Sequence, residues 1–130
     1  MTVLPAVVLD AAHNPAAAAA LRDTLATYFP DRELILVLGI LADKDRAGVT
    51  AALAPGARAV VVTRPPADRA GDWGQVAVEA RRHCSEVYTE PYNQAALERA
   101  RQLAGVDGVV VVTGSIYLVG ALRPSLRRDR

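Results

Sequence analysis

The sequence predicts an α/β domain built on a doubly wound, mostly parallel sheet of five or six strands flanked by helices. Three observations carry that expectation. Four short runs, "AVVLD" (6–10), "ELILVLG" (33–39), "RAVVVT" (58–63) and "GVVVVTG" (108–114), are rich in β-branched residues and nearly continuous in apolar character. A strand covered on both faces looks like this, whereas a strand with one wet face alternates. Helix-like stretches separate these runs, so strand and helix take turns along the chain. No internal repeat interrupts the alternation, and 130 residues suffice for one domain with a single core.

Local signals define each element in turn. After the first strand, Asn14 is a favourable N-cap and Pro15 suits the first helical position, which starts a helix over 15–28. Leu21, Leu25 and Tyr28 then fall on one face at spacings of four and three. Its alanine run is helix filler, since alanine has the best helix propensity. Three more helices are expected over 45–54, 72–84 and 93–105, the last closed by Gly105. A weaker strand is "EVYTE" (86–90), the one long loop is "RPPADRAG" (64–71), and a short helix follows Ser115. The domain is expected to occupy 1–123 and a tail 124–130, with "RPSLRRDR" (123–130) frayed.

Composition narrows the function. With 52% hydrophobic and 22% charged residues the chain reads as globular and soluble. A net charge of +1 sets up no strong field toward nucleic acid or an anionic membrane, so neither is an expected partner. No apolar run approaches the length that crosses a bilayer, and the N-terminus lacks the form of a signal peptide. A single cysteine, Cys84, excludes an internal disulfide framework and a Cys-rich metal site; a reducing cytoplasm fits, and no metal-binding residues are assigned. His83 and Cys84 have no partners at metal-ligand spacing. Fourteen of the fifteen basic residues are arginine, which leaves Lys44 as the only lysine. Where nearly every basic position has become Arg, a retained Lys suggests a need for its compact ammonium.

In open parallel sheets, ligands bind outside the carboxyl ends of the strands. There the sequence gathers polar groups: Asp10, His13 and Asn14 after one strand, and Asp43, Lys44 and Asp45 after the next. Thr63, Arg64 and Arg69 follow another, and Thr113, Gly114 and Ser115 the last. Each has a plain alternative. Asp10 can accept from loop amides, His13 can be a hydrogen-bonded loop residue, and Asp43-Lys44-Asp45 can be a solvated turn whose last residue caps a helix. Ser115 can equally be an N-cap. Yet the start of the first helix presents free N–H groups and the positive end of its dipole, which favours an anion. Several familiar sites are missing from these residues: G-x-G-x-x-G after a strand, G-x-x-x-x-G-K-[ST], a serine nucleophile elbow, and any His/Cys metal pattern.

Taken together, "LDAAHNP" (9–15), "LGILADKD" (38–45) and "VTGSIYLVG" (112–120) resemble the signatures of the carboxyl-terminal domain of the folylpolyglutamate synthase/dihydrofolate synthase family, part of the Mur ligase superfamily. The resemblance spans essentially the whole chain, with the motifs in the family's order. It departs at Ala11, where the family usually has Gly, and at Asp68-Arg69-Ala70, where it often has Pro-Arg-Ala.

The resemblance implies a Rossmann-like domain of an ADP-forming acid–amino-acid ligase in folate and one-carbon metabolism. Such enzymes activate a folate or dihydropteroate carboxylate as an acyl phosphate, which the amine of L-glutamate attacks. ATP and Mg2+ would be held mainly by a preceding N-terminal P-loop domain, so the chain alone is expected to be inactive. By the same resemblance Asp10 and His13 would contact the nucleotide, with His13 the catalytic residue facing the phosphates or acyl phosphate. Asn14, Lys44, Ser115, Tyr117 and Arg69 would contact glutamate. The chemistry agrees: a glutamate carboxylate needs a cation and hydroxyl or amide donors, which also gives the lone lysine a reason. Two rivals are a non-catalytic nucleotide- or amino-acid-binding module that keeps the fold, and a receiver-type domain that accepts phosphate on an acid. The acidic cluster of a receiver is absent, since Asp10 stands beside His13.

Overall fold

A computed structural model describes residues 5–128, with side chains to Leu126. Five strands form one sheet: β1 (Ala6–Asp10), β2 (Leu34–Leu38), β3 (Ala59–Val62), β4 (Val87–Thr89) and β5 (Val109–Thr113). Their order is β1-β5-β2-β3-β4, and every pairing is parallel. All five expected strands are present, each trimmed by a residue or two except the first.

The helices are α1 (Pro15–Tyr28), α2 (Arg46–Leu53), α3 (Gln75–Arg81), α4 (Asn93–Ala104) and α5 (Ile116–Arg128). Connections from β1 through β4 step across the sheet in one direction, and a right-handed crossover then puts α1, α2 and α3 on one face. The chain reverses after β4 to insert β5 between β1 and β2, so the same handedness sends α4 to the other face, where α5 joins it. Strand side chains divide accordingly. Leu36, Leu38, Val60, Val62, Val109 and Val111 face the first three helices; Ile35, Val37, Ala59, Val61, Val110 and Val112 face α4 and α5. That double coverage is the physical cause of the uninterrupted apolar runs in the sequence.

Helix α1 starts as the sequence requires. The Asn14 side chain accepts from the Ala17 amide at 2.8 Å, and Pro15 opens the first turn. Its buried stripe is Ala18, Leu21 and Leu25; Tyr28, expected on that stripe, is 73% exposed, and Phe29 at the C-cap packs against the core instead. Burying Leu21 and Leu25 contributes roughly 1.5–3 kcal/mol each. Asp45 caps α2 by accepting from the Gly48 amide at 2.9 Å. At the other edge of the sheet Arg58 pairs with Glu33 at 2.7 Å and with Glu86 at 3.6 Å, tying together the starts of β2, β3 and β4.

Two helices differ from expectation. Expected over 72–84, α3 covers only Gln75–Arg81, because residues 72–76 form separate turns closed by Gln75 N–H to the Asp72 carbonyl and Val76 N–H to the Trp73 carbonyl. The closing helix is not short and does not fray at 123: α5 runs on through Pro124 to Arg128. Proline removes one helical N–H and crowds the carbonyl four residues back. Here that residue is the exposed Gly120, while Leu118 and Leu122 are fully buried and Leu126 packs against the same cluster, so apolar contact carries the helix past the proline. Residues 129–130 of the expected tail lie outside the described residues.

Candidate functional site

Because β5 lies between β1 and β2 while α5 leaves on the opposite face from α1 and α2, the loops at their carboxyl ends part and open a crevice. Its walls are His13 after β1, Leu41 and Lys44 after β2, Arg69 after β3, and Gly114, Ser115, Ile116 and Tyr117 after β5, around about 100 Å³.

Backbone geometry sets the β5 wall. Gly114 has φ +107°, and a Cβ there would sit 2.5 Å from the Gly39 carbonyl oxygen. Only glycine lets the two loops approach this closely. The turn delivers Ser115, 1% exposed, to the start of α5, where its Oγ accepts from the Tyr117 amide at 3.1 Å. Ser115 is therefore the cap foreseen as its alternative role, and it also faces the crevice. A hydroxyl that accepts from the backbone still has its proton to donate.

His13 is exposed, with Nδ1 3.1 Å from the Ala11 carbonyl oxygen. A carbonyl can only accept, so this contact is a hydrogen bond in the tautomer with its proton on Nδ1, which leaves Nε2 for another partner. Asp10 ends edge strand β1 and accepts from the Ala12 amide at 2.9 Å, which fixes the turn that presents His13. Neither Asp10 nor Asn14 lines the crevice. Asn14 commits its oxygen to capping α1 and keeps its NH2 donors without a partner among the described residues.

Lys44 is half-buried, and its ammonium has no ion-pair partner among the described residues. Arg69 instead pairs with Asp43 at 2.7 Å, with both side chains about half exposed. Together with the N-terminal end of α5, these groups leave the crevice cationic, suited to a carboxylate or phosphate. Thr63, Thr113 and Arg64 lie outside its walls. The Asp43–Arg69 pair and the apolar walls of Leu41 and Ile116 were not expected from the sequence. The pair joins positions 26 apart, which no local signal announces.

No three His, Cys, Asp or Glu side chains gather as a metal site among the described residues, and no described helix is long and apolar enough to cross a membrane. A larger cavity, about 270 Å³, lies at the amino edge of the sheet among Leu25, Phe29, Leu34, Leu36 and Leu53. It is walled mainly by carbon and shares no residue with the crevice at the carboxyl edge.

An open parallel sheet covered by helices on both faces, with a small crevice at its switch point, defines a domain of the doubly wound α/β class. The chain belongs to the Mur ligase family, its residues 2–116 matching the family described as "Mur ligase, glutamate ligase domain". It is 40% identical to the dihydrofolate synthase/folylpolyglutamate synthase of Mycobacterium tuberculosis, over 99% of this chain and 30% of that protein. A crystal structure of the M. tuberculosis folylpolyglutamate synthase complexed with ADP and AMPPCP superposes with a TM-score of 0.84 and 39% identity, covering 95% of this chain and 30% of that one. A bifunctional folylpolyglutamate synthase/dihydrofolate synthase with Mn, AMPPNP and L-glutamate bound superposes with a TM-score of 0.82 and 30% identity, covering 98% of this chain and 30% of that one. The chain thus spans less than a third of the length of these relatives.

Proposed function

We propose that the chain is the amino-acid-accepting part of an ATP-dependent ligase that joins L-glutamate to a folate or dihydropteroate carboxylate through an acyl phosphate. The observation that carries this is the convergence of Lys44, Ser115, Tyr117 and Arg69 with His13 in one crevice. At about 100 Å³ it is well below the roughly 300 Å³ that encloses a whole small ligand, but it suits one carboxylate end of an amino acid. In this proposal the Lys44 ammonium and the Ser115 hydroxyl hold that carboxylate, with Tyr117 and Arg69 at the rim and the Asn14 amide beside them.

The reaction has two steps. The acceptor carboxylate takes the terminal phosphoryl group of ATP, releasing ADP. The glutamate amine, its ammonium having given a proton to solvent, then attacks the acyl carbon; the C–N bond forms, the C–O bond to phosphate breaks, and inorganic phosphate leaves as the nitrogen gives up its second proton. His13 faces the phosphoryl group through Nε2, which donates to an anionic oxygen when the ring is protonated. Asp10, at the end of β1, is proposed to meet the nucleotide ribose. The sequence has no G-x-x-x-x-G-K-[ST] motif, so an N-terminal P-loop domain is the proposed partner. The described donor set does not fit a metal site of its own, so the nucleotide's Mg2+ would be held chiefly by that domain. The chain alone is proposed to be inactive, and glutamate-dependent ADP formation by it would refute that.

The test is an NMR titration of the labelled chain with L-glutamate, then with Mg-ATP. Glutamate should shift residues around Lys44, Ser115 and Asn14, and Mg-ATP those around Asp10 and His13. Lys44→Met should weaken glutamate by about tenfold or more, the scale of one charge-assisted hydrogen bond, without lowering the Tm. Saturating glutamate with no shift at this edge would sink the proposal and favour a non-catalytic module.

A further inference from the structure

The Lys44–Arg69 wall of the crevice belongs to two loops far apart in sequence, and one side chain bridges them. Arg46, half-buried in the first turn of α2, donates through Nε to the Ile40 carbonyl at 3.1 Å. Its two terminal nitrogens donate to the Asp72 carbonyl at 2.9 Å and the Ala70 carbonyl. No carboxylate pairs with it among the described residues. A cation in a first helical turn opposes the helix dipole, so general helix electrostatics do not account for arginine here. Its fixed fork of donors does, because it can satisfy carbonyls on two segments at once.

Those segments meet at further points. Ala42 N–H donates to the Arg69 carbonyl at 2.9 Å, and Arg69 in turn pairs with Asp43. Gly71, at φ +54°, passes so close that a Cβ on it would lie 2.8 Å from the Ala42 methyl. Lys44 sits between Ala42 and Arg46, with its own carbonyl accepting from the Arg46 amide at 2.9 Å. Arg46 itself is not among the residues lining the crevice, so its donors act on the two loops.

We infer that Arg46 is a positioning residue that fastens the 40–46 loop to the 69–72 loop and so sets the spacing of Lys44 and Arg69 for a carboxylate of the amino acid. This inference rests on the glutamate proposal for its ligand but not for its geometry, and the experiment separates the two. Arg46→Met and Arg46→Lys are made in the full chain, and amide hydrogen exchange is followed residue by residue, alongside L-glutamate titration. Arg46→Met should speed exchange at Ala42 by about tenfold, as expected for losing a local bond, while core amides of β2 and β5 keep their protection. It should weaken glutamate by a similar factor, and Arg46→Lys, a cation with fewer directed donors, should recover part of both effects. Unchanged exchange at Ala42 would overturn the inference. So would a uniform loss of protection across the core, which marks a purely structural residue, or loosened loops with unchanged glutamate affinity. If the unaltered chain binds no glutamate, the functional proposal fails, and the exchange data alone decide whether Arg46 fastens the loops.

Discussion

Gly114→Ala tests whether the β5 turn is as tightly fitted as the geometry says. Two penalties add. An L side chain at φ +107° is held in a sparsely populated region, which costs about 1–3 kcal/mol. The new methyl would also lie 2.5 Å from the Gly39 carbonyl oxygen and 3.1 Å from both the Gly39 carbonyl carbon and Ile40 Cγ1. Gly39 cannot step aside freely, since its own N–H donates to the Thr113 carbonyl. Overpacking of that kind adds about 1–3 kcal/mol, for a total near 4 kcal/mol. At about 3–5 °C per kcal/mol for a domain of this size, the Tm should fall by roughly 10–20 °C. Thermal unfolding followed by circular dichroism measures it. Gly56→Ala is the control, because a Cβ there meets nothing within 4 Å, and it should stay within about 2 °C of the unaltered chain. A loss below about 1 kcal/mol for Gly114→Ala would refute the argument, because the turn would then have room to relax.

Two further substitutions address elements the sequence described unevenly. Gly120→Ala places a methyl in open space inside α5 and should raise stability by about 0.4–1 kcal/mol, read from denaturant midpoints; a loss would mean that the helix does not run through Pro124 as described. Asn14→Ala should cost about 1 kcal/mol by removing the cap on Ala17, whereas Asn14→Asp should keep stability yet weaken L-glutamate. Equal glutamate affinity for Asn14→Asp and the unaltered chain would limit Asn14 to capping.

The strands were legible because burial on both faces is written into composition: Val109 through Val112 need no context to be read as interior. The start of α1 was legible because a cap acts over three residues. The carboxyl edge was legible as a polar margin because a parallel sheet collects every strand-to-helix loop there. What escaped depends on contacts between distant segments. Nothing near Tyr28 says that the chain turns Phe29 inward in its place. Nothing near Pro124 says that Leu126 will find the apolar cluster beyond it. The divided edge is the clearest case: sequence placed Asp10, His13, Asn14, Lys44, Arg69 and Ser115 on one margin, and only the fold separates His13, Lys44, Arg69 and Ser115, which line one crevice, from Asp10 and Asn14, which do not.

The insertion of β5 between β1 and β2 bears on how the chain reaches its native state. Ala6 pairs with Val109, and Leu34 pairs with Val109 from the other side, so neither ladder exists until the last strand has been made. During synthesis β1 and α1 emerge before the other elements of this domain, yet β1 has no neighbour to join until β5 has been made. Closure over that span favours an all-or-none transition over stepwise growth from the N-terminus. His13, Lys44 and Ser115 stand on the loops after β1, β2 and β5, so the crevice is assembled in the same late event that completes the sheet. A nascent chain therefore completes this crevice only when β5 has joined the sheet.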